Sequence, residues 1–311
     1  MSETIFKRLP SWLHRTLPDG STLKTHAILE KYGLNTVCES ALCPNRSECY
    51  ARLTATFMIL GDVCTRRCGF CAIEAGRPEE VMTDEPERVA QAAKELGLHY
   101  VVVTSVARDD LQDEGAGHFA RTIKALRREI PDVQIEILTP DFHARRGLLE
   151  VVVQARPDVF NHNIETVKRL QKKVRPQASF ERSLEVLALV KELAPGITTK
   201  SGLMLGLGEE ENEILCAALE LRKAGCDILT VGQYLAPNQN HLEVVDYISP
   251  EYFDDLGERL RELGFREVFA GPYIRSSYHA GEMFINSRQT VPCTSGDRFT
   301  EPVPAVPGAV S

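Results

Sequence analysis

Short apolar runs rich in β-branched residues alternate with amphipathic segments along most of this chain. The clearest strand candidate, HYVVVTS at 99–105, is apolar over most of its length, as expected for a parallel strand that is buried on both faces. The segment 116–130 has helical spacing of its apolar residues, and Pro131 closes it. Strands that alternate with helices of this length predict a parallel sheet with right-handed crossovers.

The whole pattern amounts to about six βα units, which are too few for a complete eight-stranded barrel. We therefore expect an α/β fold with a partial (β/α)6 parallel barrel over residues 56–272; a doubly wound sheet is the alternative. Residues 1–55 form an N-terminal extension in this interpretation, and 273–311 form a C-terminal segment with a Pro-rich, disordered tail. The predicted strands are 56–61, 99–105, 133–138, 158–163, 197–206, 227–234 and 267–272. The predicted helices are 84–96, 116–130, 145–155, 179–193, 209–224 and 250–263.

Polar residues recur in the strands of this pattern, towards their C-terminal ends, on five of the strands. In parallel α/β folds the functional site lies at this edge of the sheet. Any one of these residues could be polar only because a strand end approaches water, but the recurrence favours a lined cavity. The candidates are Thr104, Ser105, Glu136, Asn161, His162, Asn163, Lys200, Ser201, Gln233 and Tyr234.

The cysteines are concentrated in a short part of the sequence, because six of the nine fall between positions 38 and 71. One triad, Cys64, Cys68 and Cys71, follows the first predicted strand directly, where a barrel carries an active-site loop. Three thiolates can hold three irons of a cubane cluster and leave the fourth iron open for a substrate. Structural zinc is disfavoured because its usual paired ligands are missing, and disulfides are disfavoured because nothing in the sequence indicates an oxidising compartment.

A second triad, Cys38, Cys43 and Cys49, also offers three thiolate ligands, but its spacing differs and no strand precedes it. The remaining cysteines, Cys216, Cys226 and Cys293, are scattered. We expect the first two of these to be core residues and the third to have no role.

Charge and hydropathy exclude several classes of function. The formal net charge of −8 argues against general nucleic-acid binding, which needs a basic face. No apolar run approaches the roughly 18 residues that span a bilayer, and the N-terminus lacks the apolar core of a secretory signal. We therefore expect a cytoplasmic protein that does not insert into membranes.

The first triad lies within CTRRCGFCAI, which resembles the signature of the radical S-adenosylmethionine (SAM) enzymes. Together with NTVCESALCPNRSECY, FNHNIETV and GPYIRSSYHAGE, it resembles the lipoyl synthase family, from about residue 12 to about residue 284. The resemblance implies a radical SAM barrel whose mouth is covered by the N- and C-terminal extensions. It also implies two [4Fe-4S] clusters and SAM as cofactors.

The resemblance further implies which residues act. Cys64, Cys68 and Cys71 would hold the cluster that binds SAM and yields 5′-deoxyadenosyl radicals. The second triad would hold an auxiliary cluster, with Ser277 of the RSSY motif as fourth ligand and Ser276 as the weaker candidate. This auxiliary cluster would be the sulfur donor. The polar strand ends, rather than the resemblance, predict contacts to SAM or substrate from Thr104, Ser105, Glu136, Asn161, Asn163 and Lys200.

The implied reaction is sulfur transfer to C6 and C8 of an octanoyl chain on a lysine of a carrier domain. The implied partners are octanoylated lipoyl domains of 2-oxoacid dehydrogenase complexes or the glycine cleavage H protein, with an electron donor and an iron–sulfur supply system. Two alternatives stay open: another sulfur-inserting or methylthiolating radical SAM enzyme, and a non-enzymatic iron–sulfur carrier.

Overall fold

A computed structural model describes residues 8–15 and 22–289 of the chain. The Pro-rich tail and Cys293 lie outside the described residues, so the predictions made for them stay predictions. Within the described residues, no helix is both long and apolar enough to cross a membrane.

The described residues form ten strands and eleven α-helices, numbered along the chain. The strands are β1 (Asn35–Thr36), β2 (Thr56–Ile59), β3 (Val63–Cys64), β4 (Glu74–Ala75), β5 (Tyr100–Ser105), β6 (Gln134–Leu138), β7 (Val159–Asn161), β8 (Thr198–Leu205), β9 (Ile228–Gln233) and β10 (Glu267–Gly271). The helices are α1 (Leu23–Lys31), α2 (Val37–Ser40), α3 (Arg46–Ala51), α4 (Glu85–Glu95), α5 (Ala116–Glu129), α6 (Arg146–Gln154), α7 (Gln171–Val174), α8 (Phe180–Leu193), α9 (Glu211–Lys223), α10 (Pro250–Arg261) and α11 (Ala280–Gln289).

One eight-stranded sheet organises the molecule, in the order β1-β2-β5-β6-β7-β8-β9-β10. The seven strands from β2 to β10 in this order are parallel, and β1 pairs antiparallel with β2. Consecutive parallel strands are joined by helical crossovers, so the predicted α/β class with a mostly parallel sheet is confirmed. In the described part of the chain β1 and β10 are the edges, and the sheet is open, as a partial barrel requires.

Burial of the strands explains why these segments form a parallel sheet. In β5, Val101 and Val103 have no exposed surface, and the whole of β2 is buried. Helices α4, α5 and α6 pack over the first half of the sheet, and α9 and α10 pack over the second half. Burial of an aliphatic side chain contributes roughly 1.5–3 kcal/mol, so these two apolar layers hold the strand ends in place.

The helices begin where side chains cap their first turn. The hydroxyl of Ser179 accepts a hydrogen bond from the backbone N–H of Arg182 at the start of α8. Ser249 does the same for Tyr252 at the start of α10, with Pro250 in the first turn. Such caps stabilise a helix by about 1 kcal/mol.

The last described helix, α11, packs against the beginning of the sheet. The rings of Tyr100 and Phe284 lie with their centroids 5.9 Å apart, and Met283 and Phe284 are buried. Outside the two triads, Cys226 is buried as expected, but the prediction for Cys216 is wrong: it lies exposed on α9. Its helix is apolar on one face only, and position 216 falls on the other.

Candidate metal centre

A cavity of about 530 Å³ opens at the C-terminal ends of the parallel strands. All six clustered cysteines line it, together with residues that follow β5, β6, β7 and β9. The C-terminal residues 274–278 complete its wall. The structure therefore brings both triads and the RSSY motif, which are far apart in sequence, to one cavity. Each of these six cysteines is free of disulfide bonds.

The first triad sits on a loop that neighbouring loops hold in place. Cys64 ends β3, and its Sγ accepts hydrogen bonds from the backbone N–H groups of Arg66 and Ala107, at 3.4 and 3.3 Å. The backbone N–H of Gly69 donates to Val174 O at 2.9 Å, and a ring nitrogen of His241 lies 3.0 Å from Cys71 O. N–H groups aimed at sulfur stabilise a thiolate, as cluster ligands require.

The second triad is arranged by two very short helices. Cys38 lies on α2, which Thr36 caps by accepting from the backbone N–H of Glu39. Cys49 lies on α3, and the turn between the helices, which carries Cys43, is closed by a 3.1 Å bond from Cys43 N to Cys38 O. Burial raises the pKa of Cys49, and neighbouring Cys38 and Cys43 raise it further, so the three side chains lie close to one another.

The chemistry of the donor set fits iron–sulfur clusters. Burial raises the pKa of Cys38 and Cys68 to about 11, and of Cys49 and Cys71 to about 12. A cation at each triad would compensate this burial, because bound iron would displace the thiol protons and the sulfurs would bind as thiolates. Soft thiolate ligands in groups of three match cluster iron rather than a hard cation.

The two serines of the RSSY motif have different surroundings. The hydroxyl of Ser276 donates to Asn163 Oδ1 at 2.9 Å. Ser277 lines the cavity beside the second triad, and its hydroxyl makes no hydrogen bond with any described residue. Of the two, Ser277 is thus the one whose oxygen is available to a metal.

Two glycines inside strands allow the C-terminal segment to approach the sheet. A Cβ on Gly202 of β8 would lie 2.6 Å from Ser276 Oγ. A Cβ on Gly232 of β9 would collide with the backbone carbonyl of Ile274. Glycine within a strand often marks such a close approach of another backbone. The two glycines are therefore a sequence signal for the docking position of the RSSY segment, which the sequence analysis did not use.

Two hydrogen bonds, made by Asn45 and Glu48 and called the clasp below, join the RSSY segment to the second triad. Asn45 Nδ2 donates to Tyr273 O at 2.8 Å, and the hydroxyl of Tyr278 donates to Glu48 Oε1 at 2.8 Å. Arg15 donates to both Asn45 and Glu48, at 2.8 and 2.7 Å. Asn45 and Glu48 lie between Cys43 and Cys49 in the sequence. Their partners Tyr273 and Tyr278 precede and follow Ser277, so the residues between these two cysteines hold the C-terminal segment on both sides of Ser277. Sequence reasoning did not identify them, because nothing local indicates their distant partners.

Three of the six residues predicted to contact SAM or substrate line the cavity: Thr104, Ser105 and Asn163. The Ser105 hydroxyl is buried without a hydrogen-bond partner, and so is the hydroxyl of Thr139, which sequence reasoning did not single out. Unpartnered buried hydroxyls are rare and costly, so two on one cavity wall fit a polar ligand there. Thr104 instead donates to Leu138 O at 2.9 Å.

The other three, Glu136, Asn161 and Lys200, are not brought to the cavity wall. Lys200 Nζ lies 3.0 and 3.1 Å from the carboxylate oxygens of Glu136, and Asn161 Nδ2 donates to the same carboxylate at 3.0 Å. Tyr100 completes the group with a 2.7 Å hydrogen bond to Glu136. Glu136, Asn161 and Lys200 have no exposed surface, and half-buried Tyr100 closes this polar network away from the cavity wall.

A chain of ion pairs adjoins the loop of the first triad; Arg66 and Asp141 at its centre are buried, whereas Asp109 at one end is exposed. Arg66 Nη2 lies 2.7 Å from Asp109 Oδ1 and 2.8 Å from Asp141 Oδ1, and Arg182 Nε lies 2.9 Å from Asp141 Oδ2. Burial alone would raise the pKa of Asp141, but Arg66 holds it well below its usual range. The charges therefore stay paired next to the cysteine loop, and the loop cannot shift without breaking them.

Comparison with known proteins shows which proteins this chain resembles. The Radical SAM superfamily matches residues 58–219. The lipoyl synthase of Rubrobacter xylanophilus is 53% identical over 281 residues, which cover 90% of this chain and 88% of that protein. The lipoyl synthase of Caldanaerobacter subterraneus subsp. tengcongensis is 52% identical, covering 88% and 96% of the two chains.

Solved structures resemble the fold at low sequence identity. Methylornithine synthase matches with a TM-score of 0.53 at 14% identity, covering 93% of this chain and 83% of that one. HydG, a maturase of the [FeFe]-hydrogenase, matches with a TM-score of 0.52 at 14% identity, covering 86% and 67%. These two similarities concern the fold alone.

Proposed function

The chain belongs to the lipoyl synthase family of the radical SAM superfamily, and we propose that its two cysteine triads hold two [4Fe-4S] clusters with separate tasks in one cavity. It is a radical SAM enzyme that inserts sulfur. When bound, the cluster of the first triad and SAM supply hydrogen abstraction from an octanoyl chain, and the auxiliary cluster supplies the sulfur.

Cys64, Cys68 and Cys71 would hold the first cluster, and three protein ligands would leave one iron available to SAM. The N–H groups of Arg66 and Ala107 hold the sulfur of Cys64, so the loop is preorganised before SAM arrives. The hydroxyls of Ser105 and Thr139, which are buried without a partner, would exchange hydrogen bonds with polar groups of SAM. Asn163 would add a contact, while Glu136, Asn161 and Lys200 support the wall from beneath.

Cys38, Cys43 and Cys49 would hold the auxiliary cluster, and Ser277 would provide its fourth ligand. An oxygen ligand among thiolates is the exchangeable one, which suits a cluster that must give up sulfur. Ser276 fixes the segment by its bond to Asn163, and the clasp of Asn45 and Glu48 fixes it on the side of the triad.

A single observation carries this proposal: the six cysteines and Ser277 line the same cavity. Sulfur bonds to a carbon only at near contact, so an octanoyl chain must lie between the two triads when it reacts. A cavity of about 530 Å³ can enclose such a chain beside a nucleoside-sized ligand. An iron–sulfur carrier needs no such enclosure, because it must release its cluster to a partner.

The octanoyl group arrives on the lysine of a carrier protein. We propose octanoylated lipoyl domains of 2-oxoacid dehydrogenase complexes, or the glycine cleavage H protein, as the carriers. An electron donor and an iron–sulfur supply system complete the list of partners.

Replacing the two triads separately tests the division of labour. A variant with Cys38, Cys43 and Cys49 all changed to Ala keeps about half the iron, cleaves SAM and makes no lipoyl product. The matched variant with Cys64, Cys68 and Cys71 changed to Ala also keeps about half the iron but cleaves no SAM. Iron content, 5′-deoxyadenosine and lipoyl-lysine are measured together. If the first variant lost SAM cleavage while folded, the two tasks would not be separate.

A further inference from the structure

A second cavity, of about 240 Å³, lies behind the auxiliary triad. It runs between the chain after α3, the turn before β5 and the start of α11. Four residues line both cavities: Cys38, Cys49, Thr56 and Ser277. Three of these four are proposed ligands of the auxiliary cluster. Cys64, Cys68 and Cys71 line the first cavity and not the second.

The auxiliary ligands therefore form the partition between two spaces. One face of the partition meets the cavity where SAM and the octanoyl chain bind, and the other face meets the second cavity. A water molecule occupies about 30 Å³ of liquid volume, so the second cavity has room for hydrated iron or sulfide ions. Neither ion would need to pass the first triad.

Weak contacts close the outer rim of the second cavity. Arg52 Nη2 lies 3.0 Å from Glu282 Oε1, with both side chains more than half exposed, and His279 Nδ1 lies 3.0 Å from Glu282 Oε2. Exposed pairs contribute about 0–1 kcal/mol, so Arg52 and Glu282 can part at little cost. The inner wall rests on separate contacts, because Gly281 and Phe284 lie against Tyr100.

From this arrangement we propose that the second cavity is the entrance through which iron and sulfide reach the auxiliary site. The inference rests on the proposed function, since it concerns the cluster that this function consumes. A separate entrance allows the auxiliary cluster to be rebuilt while the first cluster and its SAM pocket stay closed. It also exposes the auxiliary cluster to iron chelators by a route that SAM does not block.

Filling the rim tests this entrance. Thr54 is an exposed rim residue that belongs to neither cluster, and Thr83 is an exposed threonine that lines neither cavity. The variants are Thr54→Trp and, as the matched control, Thr83→Trp. Iron is counted first: about eight irons per chain confirm two clusters, and about four would contradict the proposed function rather than the entrance.

The loaded proteins are then mixed anaerobically with an iron chelator in the presence of SAM, and iron release is followed by absorbance. We expect release of half the iron in the wild type, and at least fivefold slower release in Thr54→Trp but not in Thr83→Trp. Single-turnover lipoyl formation by already loaded Thr54→Trp stays at the wild-type level. Equal release rates in all three proteins, or protection of all the iron by SAM in the wild type, would overturn the proposal.

Reloading tests the same route in the inward direction. Protein depleted of auxiliary iron is supplied either with Fe²⁺ and sulfide or with a carrier protein that holds a [4Fe-4S] cluster. Slower recovery of cluster absorbance in Thr54→Trp with the ions identifies free iron and sulfide as users of the entrance. Slowing with the carrier alone would overturn the proposal, because free iron and sulfide would then reach the auxiliary site by another route. Normal recovery from both sources contradicts the entrance.

Discussion

Ser276 and Ser277 are adjacent in sequence, but their different surroundings give them different tasks. Ser276 is held by Asn163, and it positions the chain. Ser277 faces the second triad with a hydroxyl that no described residue engages. A sequence motif alone cannot separate the two, because either serine could turn towards the cysteines until the rest of the segment is in place.

Replacing each serine in turn tests this assignment. Ser277→Ala still assembles the auxiliary cluster, because three thiolates remain, but we expect lipoyl product to fall at least tenfold. Ser276→Ala is the control, since it loses one hydrogen bond worth about 1 kcal/mol and keeps most of the product. Product and 5′-deoxyadenosine are measured in the same reaction. Wild-type turnover by Ser277→Ala would show that its oxygen is not a ligand.

Lys200 and Glu136 were predicted at the cavity because polar residues near strand ends commonly reach a site. Lys200 is the third residue of the eight-residue strand β8, and Glu136 is the middle residue of β6. Their side chains therefore lie a layer below the strand ends. The sequence does not show how far each strand continues past Glu136 or Lys200. The strand pairing in the structure shows it, and with it the distance of these residues from the cavity.

This buried pair predicts a loss of stability rather than of SAM binding. Lys200→Met leaves the Glu136 carboxylate buried without its cation, which costs about 3–5 kcal/mol. The double variant Lys200→Met with Glu136→Gln removes the unpaired charge and recovers part of that loss. Denaturant unfolding of cluster-free protein measures both, and the KM for SAM of folded protein stays within about threefold. A tenfold rise in that KM in the stable double variant would place these residues in the cofactor site.

Among the elements, the strands and helices of the repeat were predictable and the elements around the cysteines were not. The strand predicted at 99–105 corresponds to β5, and the helix predicted at 179–193 corresponds to α8. Both are long and strongly patterned, so local propensity and tertiary burial agree. By contrast, α2 and α3 have four and six residues, and β3 and β4 have two each. Such short elements exist because the fold and the triads hold them.

The docking of the RSSY segment on the sheet gives a prediction at this scale. Gly232→Ala places a methyl group against the carbonyl of Ile274, so the segment must move away from β9. We expect SAM cleavage to continue and lipoyl product to fall about tenfold, because Ser277 leaves its position. Gly147→Ala on α6 is the control: nothing lies near its Cβ, and the change stabilises the helix by about 0.5–1 kcal/mol. Equal product from both variants would contradict the docking.

The fold of the whole molecule brings together residues that the sequence separates by more than 200 positions. Asn45 contacts Tyr273, and Glu48 contacts Tyr278, across the mouth of the sheet. The predicted arrangement of extensions over a barrel mouth follows from the family resemblance, and no periodicity in either extension indicates these contacts. The sequence indicated the ligand chemistry of each triad. Tertiary packing, which the sequence pattern does not show, brings the two triads to a common cavity.

The central claim is that sulfur passes from the auxiliary site to an octanoyl chain within this one cavity. The most direct test is an anaerobic single turnover by protein whose clusters carry ³⁴S, with unlabelled sulfide in solution and an octanoyl-lysine peptide as substrate. Mass spectrometry of the peptide then reports the origin of each sulfur atom. We expect both sulfur atoms of the lipoyl product to be ³⁴S, and no product from protein that lacks Cys38, Cys43 and Cys49. Product containing sulfur from solution, or product from that variant, would contradict the claim.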